Sequence, residues 1–322
     1  MRKILTVGVS LVSALALAGS AAAATATKPT VATGTATTIT QTSAKLRGTV
    51  NPQGSVTTYY FQYGKSTSYG AQTGPTTAGA GTKGVAVNAD VVGLTPNTTY
   101  HFRVVATNIA GATVGADKTF TTPKQPLGFA VTATPNPVAL GGTTTVSGTL
   151  TGTGNVGKAV QLQQRPFPYS APFANAGNAQ TVNAAGQFSF PILSLTQTTQ
   201  YRVVTVGAGS VTSPVVLVGS QVAIRFRVSA KSITSGQLVR FAGSVTPKKD
   251  GSLYAVQKQK GSIWVTVAGS SLRPYTADKS RFARRLRIRH SGVYRIYVGV
   301  ADGTHVSTAS GTVEIKITKT KK

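Results

Sequence analysis

Residues 93–111, GLTPNTTYHFRVVATNIAG, constrain the fold of this chain more than any other segment. Pro96 fixes φ at a turn, and the residues after it alternate in character. Tyr100, Phe102, Val104 and Ala106 fall on one side, His101, Arg103 and Thr107 on the other. Alternation of this kind belongs to a strand with one face in a core and the other in water. Leu94, Pro96 and Tyr100 form a corner, in which the tyrosine is expected to bury its ring and turn its hydroxyl back to the preceding backbone.

The Leu-x-Pro-x-Thr-x-Tyr order, closed by Asn108 and Gly111, resembles the E–F corner and F strand of a fibronectin type III domain. The resemblance covers residues 28–123. SAKLRGTVNPQG (43–54) and TTYYFQYGKSTSYG (57–70) are similar to the fibronectin-like domains of exported actinobacterial proteins. Many animal members carry a Trp near the position of Leu46, so the bacterial members are the nearer analogy. The resemblance implies a β-sandwich. Leu46, Gly48 and Val50 read as one strand, and Tyr59, Phe61 and Tyr63 share the core face of the next. TTPKQP (121–126) follows as a stiff, extended linker.

Two weaker copies of one pattern come next. Gly141 and Gly148 bracket GGTTTVSG, and Gly236 and Gly243 bracket GQLVRFAG at the same spacing. Phe188 precedes Tyr201-Arg202-Val203 much as Phe282 precedes Tyr294-Arg295-Ile296, while VQLQQR from Val160 and AVQKQK from Ala255 follow the second glycine at similar distances. The copies, 127–220 and 221–318, resemble bacterial immunoglobulin-like repeats. Short β-branched runs punctuated by Gly, Pro and Asn extend throughout, and no amphipathic helix is evident beyond residue 24. The expected architecture is all-β: three tandem β-sandwich domains, fibronectin type III-like and then two immunoglobulin-like. With no cysteine in the chain, apolar burial must hold each domain.

Arg2 and Lys3, the apolar run Ile4–Gly19 and the small residues Ala21–Ala24 have the order of a secretory signal peptide, so residues 1–24 are expected to be removed near Ala24. The run is shorter than the roughly 20 residues of a membrane span. No Cys follows it for lipid attachment, and no apolar tail precedes Lys321 and Lys322. The expectation is a secreted, extracellular or cell-wall-associated protein without a transmembrane anchor.

Charge is the second signal. The chain has 33 Lys and Arg against 6 Asp and Glu, a net charge of +27. Residues 222–322 hold 20 of the basic residues against 4 acidic ones, a net +16. Within RFARRLRIRH (281–290), alternation puts Phe282, Leu286, Ile288 and Arg284 on one face and Arg281, Arg285, Arg287 and Arg289 in a row on the other. Lys316 and the tail 319–322 extend the positive field. Such a row has two readings: a solvated face guarding a sheet edge, or a polyanion-binding ribbon. The scarcity of acids favours a neutralising partner, with Arg281, Arg285, Arg287 and Arg289 as its candidate residues. An anionic cell-envelope polymer or extracellular polysaccharide fits, as do surface proteins for the first domain. No specific nucleic acid is expected, since no recognition motif accompanies the charge.

Catalysis is not expected. The six acids are scattered, His101, His290 and His305 stand apart in the sequence, and there is no Gly-x-Ser-x-Gly elbow or phosphate-cradling loop. Hence no catalytic, metal or cofactor residues are assigned. PFPYSAPF (166–173) reads as an extended loop capping a sandwich. The alternative is a carbohydrate platform near Tyr169, Phe173 or Trp264, the last with its burial open. An enzyme with an unrecognised site is the remaining alternative.

Overall fold

A computed structural model describes residues 25–318. The signal-peptide reading of residues 1–24 and the basic tail 319–322 lie outside the described residues. Among the described residues every regular element is a strand, and the strands build three two-sheet sandwiches.

In the first sandwich, β1 (Thr30–Thr33), β2 (Ser43–Asn51) and β6 (Val85–Val92) form one sheet. The other is built on β3 (Thr57–Gly64) and β7 (Thr99–Asn108), with β4 (Ala71–Gln72) and β5 (Thr76–Gly79) on β3 and β8 (Gly111–Val114) and β9 (Lys118–Thr121) on β7. Leu46, Val50, Phe61, Phe102 and Val104 are fully buried between the sheets. The Tyr100 ring stacks on Phe120, and its hydroxyl accepts a 2.9 Å hydrogen bond from the Thr95 amide, which pins the turn through Pro96. Leu94 is buried at the same corner.

The second sandwich sets β10 (Gly128–Thr134), β11 (Thr144–Thr151) and β15 (Gln187–Ile192) against a sheet of β12 (Ala159–Pro166), β13 (Ala174–Asn175), β14 (Gln180–Thr181), β16 (Thr199–Thr205) and β17 (Val216–Val218). The third sets β18 (Ala223–Val228), β20 (Gln237–Thr246), β24 (Ser280–Ile288) and β23 (Arg273–Pro274) against β19 (Ser232–Ile233), β27 (Val313–Ile317), β25 (Gly292–Gly299), β21 (Leu253–Lys260) and β22 (Ile263–Ser271), with β26 (Thr308–Ala309) on β25. Each sandwich encloses its own apolar core.

The chain divides into two compact units, residues up to Lys124 and residues from Gln125 onward. Within the second unit the last two sandwiches are joined by backbone. The Thr198 amide donates to the Thr304 carbonyl at 2.7 Å, and Phe167 packs so closely on Gly303 that a β-carbon there would come within 2.3 Å of its ring.

Strand register shows that the second and third sandwiches repeat one design. Gly148 lies between Val131 and Phe188 across its sheet, and Gly243 lies between Phe226 and Phe282. A β-carbon at either glycine would come 2.0 Å from a carbonyl oxygen of the preceding strand, Ala130 in one case and Arg225 in the other. No side chain fits between strands at that separation, so the second glycine of each bracketed pair is a packing requirement.

Candidate functional site

The outer face of the sheet β18-β20-β24-β23 gathers the basic residues. Its four strands carry Arg225, Arg227, Arg240, Arg273, Arg281, Arg284, Arg285 and Arg287, and not one lysine. Pairing sets them in rows. Arg225, Ser244, Arg281 and Arg273 lie side by side, and the next row holds Arg227, Ala242 and Ala283. Arg240 and Arg285 are direct partners beyond it, then Leu238 and Arg287. The small residues Ala242, Ala283 and Ser244 leave a trough of about 680 Å³ in the sheet surface. Six arginines line it: Arg225, Arg227, Arg240, Arg273, Arg281 and Arg284. Tyr275 stands at its rim, 59% exposed.

The four residues read from sequence as one row are placed differently from one another. Arg281, Arg285 and Arg287 are exposed on β24, and Arg281 lines the trough. Arg287 donates from Nη1 to the Gly236 carbonyl at 3.0 Å. Arg289 lies just past the strand end, where its carbonyl accepts a hydrogen bond from Ser235 Oγ. Arg284 shares the inward parity of Phe282 and Ile288 but is exposed and lines the trough. In the second sandwich the position equivalent to Arg284 is the buried Phe190, so here an arginine stands where that sandwich has a core residue.

Arg225, Arg227, Arg240 and Arg273 were not singled out by sequence reasoning. Arg225, Arg227 and Arg240 come from strands far from β24 in the sequence, and Arg273 from the two-residue strand that precedes it, too short to show an alternating pattern. A signal was present in the repeat itself, because the register matches three of them to neutral residues of the second sandwich: Ala130 to Arg225, Thr132 to Arg227 and Thr145 to Arg240. Gln187 likewise matches Arg281, and Pro191 matches Arg285. The second sandwich keeps a trough of about 530 Å³ at the same place, lined by Ser147, Thr149, Gln187 and Ser189 among neutral neighbours. The fold therefore forms without these charges.

None of the eight arginines pairs with an acid among the described residues. The acids of the third sandwich pair with lysines instead: Asp250 with Lys248, Asp302 with Lys249, Asp278 with Lys279 and Glu314 with Lys316. Two arginine pairs, Arg240 with Arg285 and Arg273 with Arg281, sit directly across from each other, an arrangement that repels.

The aromatic candidates are engaged by their own sandwiches. Phe173 carries the guanidinia of Arg165 and Arg202 on its ring at 4.5 and 4.2 Å, and Tyr169 meets Phe167 edge-on. Trp264 is half-buried under Arg295, 4.2 Å from its ring. These contacts belong to a shared device, since Arg103, Arg202 and Arg295 each donate Nε to a glutamine directly across the sheet, Gln62, Gln163 and Gln257.

Two histidines that stand alone in the sequence have partners in space. Pairing of β9 with β7 brings Asp117 to His101, whose Nδ1 lies 2.7 Å from Oδ2, while the Tyr69 hydroxyl donates to Oδ1. Desolvation pulls the Asp117 carboxyl up, but the bonds from His101 and Tyr69 outweigh it and hold it below its usual value. The Tyr69 hydroxyl thus sits on the carboxylate rather than on the imidazole, which is not the arrangement of a nucleophile and its base. His305 is buried at the junction of the second unit. Among the described residues no group of three or more His, Cys, Asp or Glu is placed to hold a metal ion, and no helix is long and apolar enough to cross a membrane.

The two-sheet layering and the tyrosine corner define the class: an all-β protein of tandem β-sandwich domains. No known family profile matches the chain, and no curated protein matches it. Among solved structures it is similar to the FN1-FN3 domains of chicken CNTN1, at 15% identity over 90% of this chain and 97% of that one, with a TM-score of 0.28.

Proposed function

We propose that this is an exported, non-enzymatic binding and spacer protein of the cell envelope or extracellular space, anchored electrostatically through its third sandwich. The observation that carries the reading is the segregation of charge: eight arginines and no lysine on the four strands of one sheet, none paired with an acid. Edge protection draws on lysine at least as readily as arginine, and the neutral sheet of the second sandwich needs no such guard. A polyanion laid on the face would neutralise side chains that now repel one another, with release of its counterions adding to the driving force. The proposed partner is an anionic envelope polymer or extracellular polysaccharide. The first sandwich, whose net charge is far smaller, is proposed to present a surface to other proteins.

Cosedimentation of the full mature chain with an anionic cell-wall fraction, across a salt series, tests this. Binding should fall steeply with salt and be lost in the variant Arg225→Ser/Arg240→Ser/Arg281→Ser/Arg285→Ser, whose substitutions are all on exposed positions. Equal retention of both proteins, or retention indifferent to salt, overturns it.

A further inference from the structure

We infer that the trough takes phosphate monoesters carried on a polymer, in preference to carboxylates or sulfate esters. This rests on the polyanion reading and specifies its ligand. Three observations lead to it: every charged residue of the lining is an arginine, the floor residues are small, and two of the arginine positions are doubled across strands.

The absence of lysine separates general charge attraction from recognition. Lysine and arginine are equally abundant in residues 222–322, ten of each, yet only arginine occupies this sheet. A lysine is a point charge that any anion satisfies, whereas the planar guanidinium offers a fork of N–H donors matched to paired oxygens. The floor residues Ala242, Ala283 and Ser244 leave room for an anion to sit low between guanidinia of different strands. There it meets donors from several directions. A carboxylate has two oxygens in one plane and satisfies one fork well. A tetrahedral ester presents three oxygens and can be shared by forks that converge from separate strands.

The doubled positions select among tetrahedral esters. Arg273 and Arg281 form one cross-strand pair, Arg240 and Arg285 another. Each pair sets two positive charges against one potential ligand group. A sulfate ester carries a single charge, but a phosphate monoester carries nearly two at pH 7, with its second ionisation near pH 6. Only the phosphate neutralises a pair. Arg281 and Arg285 are four residues apart on β24, so the two pairs stand about 13 Å apart along the strand direction. That spacing suits two phosphates on one chain rather than one small molecule.

The second sandwich supplies the comparison within the molecule. Its trough has the same place in the sheet, but Gln187 stands for Arg281 and Thr145 faces Pro191 where Arg240 faces Arg285. It keeps the shape without the forks.

Three dextrans of matched size and substitution test the inference on the full mature chain: dextran phosphate, dextran sulfate and carboxymethyl dextran, with plain dextran as control. At pH 7.5 the phosphate form should bind about tenfold more tightly than either other anion, and its advantage should shrink between pH 7 and pH 5 as the dianionic monoester takes up a proton and becomes a monoanion. The double variant Arg240→Lys/Arg285→Lys keeps every charge. It should lose most of the phosphate preference while retaining the salt dependence of its binding. Equal binding of carboxymethyl dextran overturns the tetrahedral assignment, and equal, pH-independent binding of dextran sulfate overturns the dianion assignment. In both cases polyanion docking would stand. If none of the three binds above plain dextran, the polyanion reading falls with it.

Discussion

Arg240 and Arg285 are direct cross-strand partners on the outer face of the third sandwich. Neither has an acidic neighbour to offset it, so the pair costs stability in the free protein. Replacing Arg285 with threonine, a good strand former, should raise stability by roughly 0.5 kcal/mol in low salt. The gain should shrink as salt screens the repulsion in the parent protein. Urea unfolding followed by the fluorescence of Trp264, the sole tryptophan, reads this sandwich directly. The same variant should bind polyanion more weakly. A loss of stability together with unchanged binding would contradict both expectations.

Gly243 should not tolerate alanine. The added methyl would meet the Arg225 carbonyl at 2.0 Å and the Phe282 ring at 2.7 Å, so β18 must part from β20 or Phe282 must leave its place. A cost of about 1–3 kcal/mol is expected, with polyanion binding reduced because Arg225 and Arg227 shift away from Arg281. Gly148→Ala makes the matching clash with Ala130 in the uncharged sandwich, so it should cost similar stability and leave binding intact.

Tyr100→Phe keeps the ring on Phe120 and removes only the acceptor for the Thr95 amide. That amide is then left without its partner at a half-buried turn. A loss of about 1–2 kcal/mol is expected in the first unit, and hydrogen exchange at Thr95 should quicken by a corresponding factor. Exchange in the second unit should not change.

The junction of the last two sandwiches should respond to pH through His305. Its Nε2 donates to the Thr196 carbonyl at 3.0 Å, and Thr304 Oγ1 lies 2.9 Å from Nδ1. Lys249 and Asp302 are the charged groups beside it; the lysine contacts both Asp302 and Thr304. Burial, and then the positive charge of Lys249, push the imidazole below its usual value, against the opposing pull of the Thr196 bond and Asp302. The folded protein therefore takes up the proton later than the unfolded chain as pH falls. The stabilisation is complete above the unfolded value of about 6.5 and is lost as pH drops from there through the lower folded value. Thermal unfolding between pH 8 and pH 5 should show this loss, and His305→Gln, which retains an N–H donor, should flatten it.

Much of the local structure could be read along the chain. Alternation from Tyr100 to Ala106 assigns four side chains to a core, and all four are buried there. The paired glycines and the Tyr-Arg-Val and Tyr-Arg-Ile runs mark equivalent strands of two sandwiches, β16 and β25. Alternation along β24 likewise sends Arg281, Arg285 and Arg287 to one face. These are properties of neighbouring residues, and a strand's two-residue period fixes them wherever the strand is placed.

The trough is different in kind. Arg225 meets Arg281 only because Ser244 lies between them across three strands, and the chain separating those strands says nothing of their register. Arg284 has the parity of a core residue, and only the packed sheets show that its position opens to solvent. Asp117 and His101 meet because β9 folds back on β7. Sequence by itself determined which face of an alternating strand is apolar and which is polar, and on β24 that Arg281, Arg285 and Arg287 share one face, because that follows from period and polarity. Tertiary structure alone decided which charges share a surface and which lack an acid, because those relations depend on pairing between distant strands and on the depth of the groove between them.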